Sequence, residues 1–133
     1  RATPGKVSNL TDAVAISAGD SFSLAKTRDG KLWAWGHNDT GYLGDGTFIA
    51  RSTPVQVTIS GVDRISAGQG HDGHALVRKS DGSLWTWGSN DSGQLGDGSM
   101  LDRSSPVTTP VTSATQVALG TSHSCALRSA TVA

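Results

Sequence analysis

The sequence predicts an all-β chain built from repeated four-stranded antiparallel sheets, and three observations predict it. Its pattern recurs with a period of 52 residues: Leu32-Trp33-Ala34-Trp35-Gly36 returns as Leu84-Trp85-Thr86-Trp87-Gly88. Within a period, apolar residues alternate with small or polar ones over about five to seven positions between glycine or aspartate punctuation. No segment sustains a helical period. Repeats of this length point to solenoids, propellers or arrays, so the repeat is read before any local structure.

The chain opens on Arg1-Ala2-Thr3-Pro4, a copy of the tail Arg51-Ser52-Thr53-Pro54 that comes back as Arg103-Ser104-Ser105-Pro106. Val14, Ile16 and Ala18 point one way in a first strand, whose Ile16-Ser17-Ala18-Gly19 recurs as Ile65-Ser66-Ala67-Gly68 and as Val117-Ala118-Leu119-Gly120. Phe22 and Leu24 share one face of a second strand. Asp29-Gly30, repeated as Asp81-Gly82, has the chemistry of a tight hairpin turn. In the third strand Trp33 and Trp35 share one face and Leu32 and Ala34 the other, which makes Trp35 and Trp87 expected equivalents, both buried. Strands that are apolar on both faces need cover on both sides, and small sheets stacked as blades around an axis supply it. That arrangement is a β-propeller. The expected division is a tail of a preceding repeat over residues 1–13, repeat one over 14–61, repeat two over 62–113 and an incomplete repeat three over 114–133, about two and a half blades.

At these residues the chain resembles the regulator of chromosome condensation repeat family. The motifs that carry the likeness are a Gly-x-x-His-Ser-x-Ala-Leu strand, an Asp-Gly turn, a Trp-x-Trp-Gly strand and an Asn-x-x-Gly-x-Leu-Gly loop. Gly120-Thr121-Ser122-His123-Ser124-Cys125-Ala126-Leu127 fits the first of them, and Trp33, Trp35, Gly36, Trp85, Trp87, Gly88 and His123 are the repeat markers. The Leu-Gly-Asp-Gly wording is similar to the bacterial branch of the family. The resemblance implies a multi-bladed propeller used as a platform for partners; related propellers include a nucleotide exchange factor and an inhibitor of β-lactamases, so fold alone does not name the partner. Three departures stand out. Phe22 replaces the family's histidine, Lys26 and Arg78 replace aliphatic strand ends, and three extra residues lie between Gly68 and His74. The two cations are expected near solvent, with their stems on apolar surface.

Composition narrows the chemistry. Eleven basic and eleven acidic residues cancel, so the net charge carries no footprint of a nucleic-acid or anionic-membrane partner. The lone cysteine, Cys125, sits in an apolar run and is expected to be a small buried hydrophobe. His71, Asp72 and His74 are metal-ligand types at close spacing, but two histidines without a further ligand bind weakly, and no metal or other cofactor is expected. Ser23-Leu24-Ala25-Lys26 matches the Ser-x-x-Lys of acylating enzymes, yet strand positions three apart point to opposite faces, so the lysine could not take the serine proton. The loops Asn38-Asp39-Thr40-Gly41 and Asn90-Asp91-Ser92-Gly93 lack the alternating ligands of a calcium loop and read as turn chemistry.

The expected function is a noncatalytic protein-interaction module. The alternatives are a purely structural self-assembling propeller segment, or a hydrolase using Ser23 or His74. Met100 is the only methionine and the chain opens on Arg1, which suggests a processed product or a piece of a longer chain. An open arc of blades would leave strand edges in water. Self-association is therefore expected, with residues 1–7 of one copy completing the sheet begun by residues 117–127 of another; two copies would give about five blades and three about seven.

Overall fold

The Asp29-Gly30 and Asp81-Gly82 hairpin turns are each held by an aspartate two residues past the strand end. Thr27 donates its hydroxyl to Asp29 Oδ1 at 2.6 Å, and Ser83 donates both its backbone N–H and its hydroxyl to Asp81 Oδ1 at 2.9 and 2.6 Å. These local bonds satisfy turn backbone that no sheet partner reaches. Around them the computed structural model, which describes residues 2–70 and 73–129, is built from strands alone.

The first sheet is a meander of β1 (Ala13–Ala18), β2 (Phe22–Thr27), β3 (Leu32–Gly36) and β4 (Arg51–Val57). The second repeats it with β5 (Val62–Ala67), β6 (His74–Lys79), β7 (Leu84–Gly88) and β8 (Arg103–Thr108). The third is a hairpin of β9 (Ala114–Leu119) and β10 (Ser124–Arg128). The registers are repeat-equivalent: Leu24 opposes Ala34, which opposes Val55, and Leu76 opposes Thr86, which opposes Val107. The sheets stack as blades, β5 packing on both β1 and β2, and β9 on both β5 and β6. This is a partial β-propeller of two four-stranded blades and one half-blade.

The core lies between blades rather than within one. Leu24, Leu32, Ala34 and Val57 of blade one meet Val62, Ala67, Ala75, Val77 and Trp87 of blade two, all buried. Burying each large aliphatic here stabilises by about 1.5–3 kcal/mol. A smaller cluster of Leu76, Leu84 and Ala114 joins blade two to the half-blade, with Val111, Val117 and Leu119 packed against it.

Blade stacking overturns three sequence expectations. Trp35 and Trp87 are not buried alike. Trp87 faces blade one and has no exposed surface, whereas Trp35 lies on the outer face of blade one and is half-buried beside a cleft shared with Gly5, Lys6, Val7 and Pro54. Lys26 and Arg78 do not end in solvent: Lys26 donates to the Asp63 carbonyl at 3.0 Å, and Arg78 donates to the Thr115 carbonyl at 2.6 Å and pairs with the Asp63 carboxylate. Each cation thus ties its blade to the start of the next blade's first strand. Cys125 is exposed, because β10 has β9 on one edge only and its side chain points from the face that no further sheet covers among the described residues. On the opposite outer face Ile16 is likewise 79% exposed. Residues 2–7 join no sheet.

Candidate interaction surface

In a four-stranded meander the β1–β2 turn and the β3–β4 loop emerge at the same end. Ser17 Oγ accepts the Ala67 N–H at 2.9 Å and Gln69 donates to the Ala18 carbonyl at 3.1 Å, so the first strands of blades one and two run side by side and their loop ends coincide. Both long loops, residues 37–50 and 89–102, therefore share one end of the molecule.

One asparagine organises each loop. Asn38 is fully buried; its Nδ2 donates to Asp45 Oδ1 at 3.3 Å and to the carbonyls of Thr47 and Ile49 at 2.9 and 3.1 Å, while its Oδ1 accepts the Leu43 N–H at 2.9 Å. Asn90 does the same in the second loop, with Asp97, Ser99, Leu101 and Leu95 at 3.2, 3.0, 3.1 and 3.1 Å. The aspartates brace the far side. Asp45 receives Arg51 Nε at 2.9 Å and Asp97 receives Arg103 Nε at 2.8 Å. Burial alone would raise the Asp97 carboxyl, but hydrogen bonds from Ser99, Arg103 and Asn90 outweigh it and hold the group down at about 2; Asp45 is lowered by the same balance, with Thr47 and Arg51 as donors.

The first loop also leans on the following blade. Trp87 Nε1 donates to the Tyr42 carbonyl at 2.9 Å, and Gly46 N–H donates to the Ser104 carbonyl at 2.8 Å. Gly44, at φ +73°, has Trp87 so close that a Cβ would stand 2.6 Å from its Nε1. The outcome is a rigid loop with an apolar tip held in water: Phe48 and Ile49 are 57% and 61% exposed, and Met100 and Leu101, at the same repeat positions, are 64% and 65% exposed. Two rigid apolar tips on adjacent blades make a surface suited to contact rather than chemistry.

The residues singled out from sequence fall as follows. Ser23 opposes Trp35 and Lys26 opposes Leu32, on opposite faces of β2. His71 and Asp72 lie outside the described residues, and among those described no three His, Cys, Asp or Glu side chains gather as a metal site. His74 is fully buried, with Nε2 3.1 Å from Ser124 Oγ, which itself donates to the Gln94 carbonyl at 2.7 Å. Because that serine has one proton and gives it to Gln94, its oxygen accepts from His74 Nε2–H, leaving Nδ1 as the unpaired ring atom packed on Gly68. Burial, and then the neighbouring His123, push the His74 pKa down to about 4. His123 is exposed at the equivalent position of the half-blade; Trp33 and Trp85 are half-buried, and Gly36 and Gly88 close β3 and β7.

Sequence reading missed the apolar tips and the anchoring role of the asparagines. The signal was present, since Asn38, Asp45 and Arg51 recur at identical spacing as Asn90, Asp97 and Arg103, with an apolar pair between the last two each time.

The comparisons agree with this architecture. A sequence profile described as Regulator of chromosome condensation (RCC1) repeat matches residues 29–73 and 81–127, and a second with that description matches 13–41 and 62–94. Human E3 ubiquitin-protein ligase HERC2 is 38% identical over 98 residues, 71% of this chain and 2% of the ligase. RCC1 domain-containing protein RUG3, mitochondrial, of Arabidopsis thaliana is 36% identical over 105 residues, 77% of this chain and 23% of that protein. The chain thus spans less than a quarter of either relative. Among solved structures, human WBSCR16 superposes with a TM-score of 0.81 at 22% identity, covering 94% of this chain and 33% of that one. Yeast RCC1 (Prp20), in its complex with Kap60, superposes at 0.74 with 24% identity, covering 90% and 31%. By its matched repeats, its blade order and its loops, the chain belongs to the regulator of chromosome condensation (RCC1) repeat family.

Proposed function

We propose that this chain is a noncatalytic protein-interaction module whose contact surface is the loop end. The observation that carries the reading is the pair of asparagine-anchored loops holding Phe48, Ile49, Met100 and Leu101 in water. A preorganised apolar tip loses little freedom on binding, so its contact area converts more fully into affinity. Yeast RCC1, a structural neighbour, is bound to Kap60 in its own structure, which supports the same kind of role here. In this reading repeat one covers residues 14–61, repeat two 62–113 and incomplete repeat three 114–133, after a tail at 1–13.

Photo-crosslinking residues placed at 48 and at 100 test it. Crosslinks to proteins in a cell extract are expected from both positions and not from Ser60, at the other end. Equal crosslinking from all three positions, or none, overturns the reading.

The open blades extend the proposal to self-association. The cavity of about 280 Å³ between blade two and the half-blade, lined by Leu76, Leu84, Leu95 and Val111, and the unpaired edge of β10 favour further strands there. Light scattering is expected to report a mass above 13.6 kDa, and Cys125 to react more slowly with a thiol reagent as concentration rises. A cooperatively unfolding species of single-chain mass at micromolar concentration rules association out.

A further inference from the structure

The charges that cancel over the whole chain are sorted between its two ends. Topology places Asp20, Asp39, Asp45, Asp91, Asp97 and Asp102 at the loop end, with Arg51 and Arg103 the cations among them in the described residues; Lys6 stands apart, beside Trp35 and Pro54 on the outer side of blade one. Both arginines are engaged by Asp45 and Asp97. Among the described residues Asp20, Asp39, Asp91 and Asp102 therefore face water without a lysine or arginine partner; the His37 ring stands 3.7 Å from Asp39, and Asp102 accepts the Asn90 N–H. At the other end Arg28, Lys31, Arg64, Lys79 and Arg128 cluster with Lys26 and Arg78 around Asp12, Asp29, Asp63 and Asp81. A neutral sequence has become a molecule with an acidic end and a basic end.

We propose that the loop end docks a basic, amphipathic protein segment, its lysines or arginines set against Asp39, Asp91 and Asp20 and its apolar residues covering Phe48, Ile49, Met100 and Leu101. This rests on the interaction role above and names the chemistry of its partner. The two surface properties have different jobs. Exposed ion pairs contribute little individually, but uncompensated carboxylates on one face steer a cationic partner and reject anionic ones, nucleic acids and acidic membranes included. The apolar tips supply the buried area that turns encounter into residence. The basic end of a second copy satisfies only half of this, because the exposed apolar residues nearest it, Val14 and Leu127, are strand residues on opposite outer blade faces and not tips at that end. The complementarity therefore favours a segment carrying both cations and apolar side chains.

The test uses the full chain and a short fluorescent peptide of repeated Leu-Lys-Lys-Ser units, followed by anisotropy. The peptide is expected to bind, its glutamate version not to bind, and its version with leucine replaced by serine to bind about tenfold more weakly. Phe48→Ser with Met100→Ser is expected to weaken binding by about tenfold, and Asp39→Asn with Asp91→Asn to weaken it and flatten its salt dependence. All four positions are exposed, and unchanged denaturant midpoints certify that the variants fold. Lys31→Ser at the opposite end is expected to leave binding unchanged. Equal binding of the glutamate peptide, or unchanged binding by the serine variant, overturns the proposal, as does a solution in which copies stack through the loop tips. Crosslinking from residues 48 and 100 to proteins without any preference for the lysine peptide would leave the interaction role standing and remove this partner.

Discussion

The imidazole Nε2 of His74 and the hydroxyl of Ser124 meet at 3.1 Å across the boundary between the second blade and the half-blade. The same three positions one boundary earlier are filled with opposite chemistry. There Phe22 stacks on Tyr42 with ring centroids 4.8 Å apart, and Ala75 lies in the same apolar cluster. His74, Ser124 and Gln94 replace Phe22, Ala75 and Tyr42 as a set, so Ser124 would be left without a donor beside Phe22. The two boundaries are keyed differently although the repeats read almost alike.

The buried His74 makes stability depend on pH in a definite direction. Its folded pKa lies near 4 against an ordinary 6.5, so between these values the unfolded chain binds more protons. The stability is present above about pH 6.5 and is lost as pH falls toward 4. Denaturant unfolding is expected to show a loss of about 2 kcal/mol between pH 7.5 and 5. His74→Phe, which copies the residue at the equivalent position of blade one, should abolish this slope. A slope that survives the substitution would place the titration elsewhere.

Asn90→Ala strips partners from the Leu95 N–H and the Ser99 and Leu101 carbonyls together. The expected cost is about 3 kcal/mol, from several groups left unsatisfied. Asn90→Asp should be worse at neutral pH, because a carboxylate would then face Asp97 and the Ser99 and Leu101 carbonyls that accepted the amide N–H. Urea midpoints for the two variants check the order.

Trp87→Ala removes a fully buried indole and the donor to Tyr42; the expected loss is about 3–5 kcal/mol. Trp35→Ala, at a half-buried position, should cost about half as much, since less area leaves the core. Equal losses would mean that the outer face of blade one is covered in solution.

Gly44 and Gly96 are repeat equivalents with φ of +73° and +65°, but a Cβ at Gly44 runs into Trp87, and at Gly96 it meets nothing within 4 Å. Gly96→Ala should cost about 1–2 kcal/mol from backbone strain alone. Gly44→Ala should cost clearly more, and the difference between their melting curves measures the fit of the loop on the following blade.

The strands, turns and blade composition are legible in the sequence because they are local. Alternation in Ile16-Ser17-Ala18 and the chemistry of Asp29-Gly30 need no knowledge of distant residues. What escapes depends on contacts between blades. Lys26 reads as solvated because its acceptor, the Asp63 carbonyl, lies 37 residues away. Trp35 and Trp87 are the same residue in the same motif, and only the stacking order separates them. Cys125 sits in a buried type of position, on a face that this chain leaves open. The sorting of charge is invisible to a count of eleven against eleven, since it needs the end of the sheet to which each turn belongs. His71 and Asp72 lie outside the described residues, so the sequence remains the sole account of them.

The first long loop rests on the blade that follows it in the chain, through Trp87 on the Tyr42 carbonyl and the Ser104 carbonyl on Gly46, while the second touches the half-blade through Ser124 on the Gln94 carbonyl. The dependence runs one way, which gives the assembly a direction in time as well as in space. As a chain leaves the ribosome from its N-terminus, blade one can pair its own strands at once, yet its loop lacks its seat until β7 and β8 have emerged. The apolar tip of the first loop is therefore finished one blade late, and a nascent chain pairs the strands of blade one before it fixes that tip.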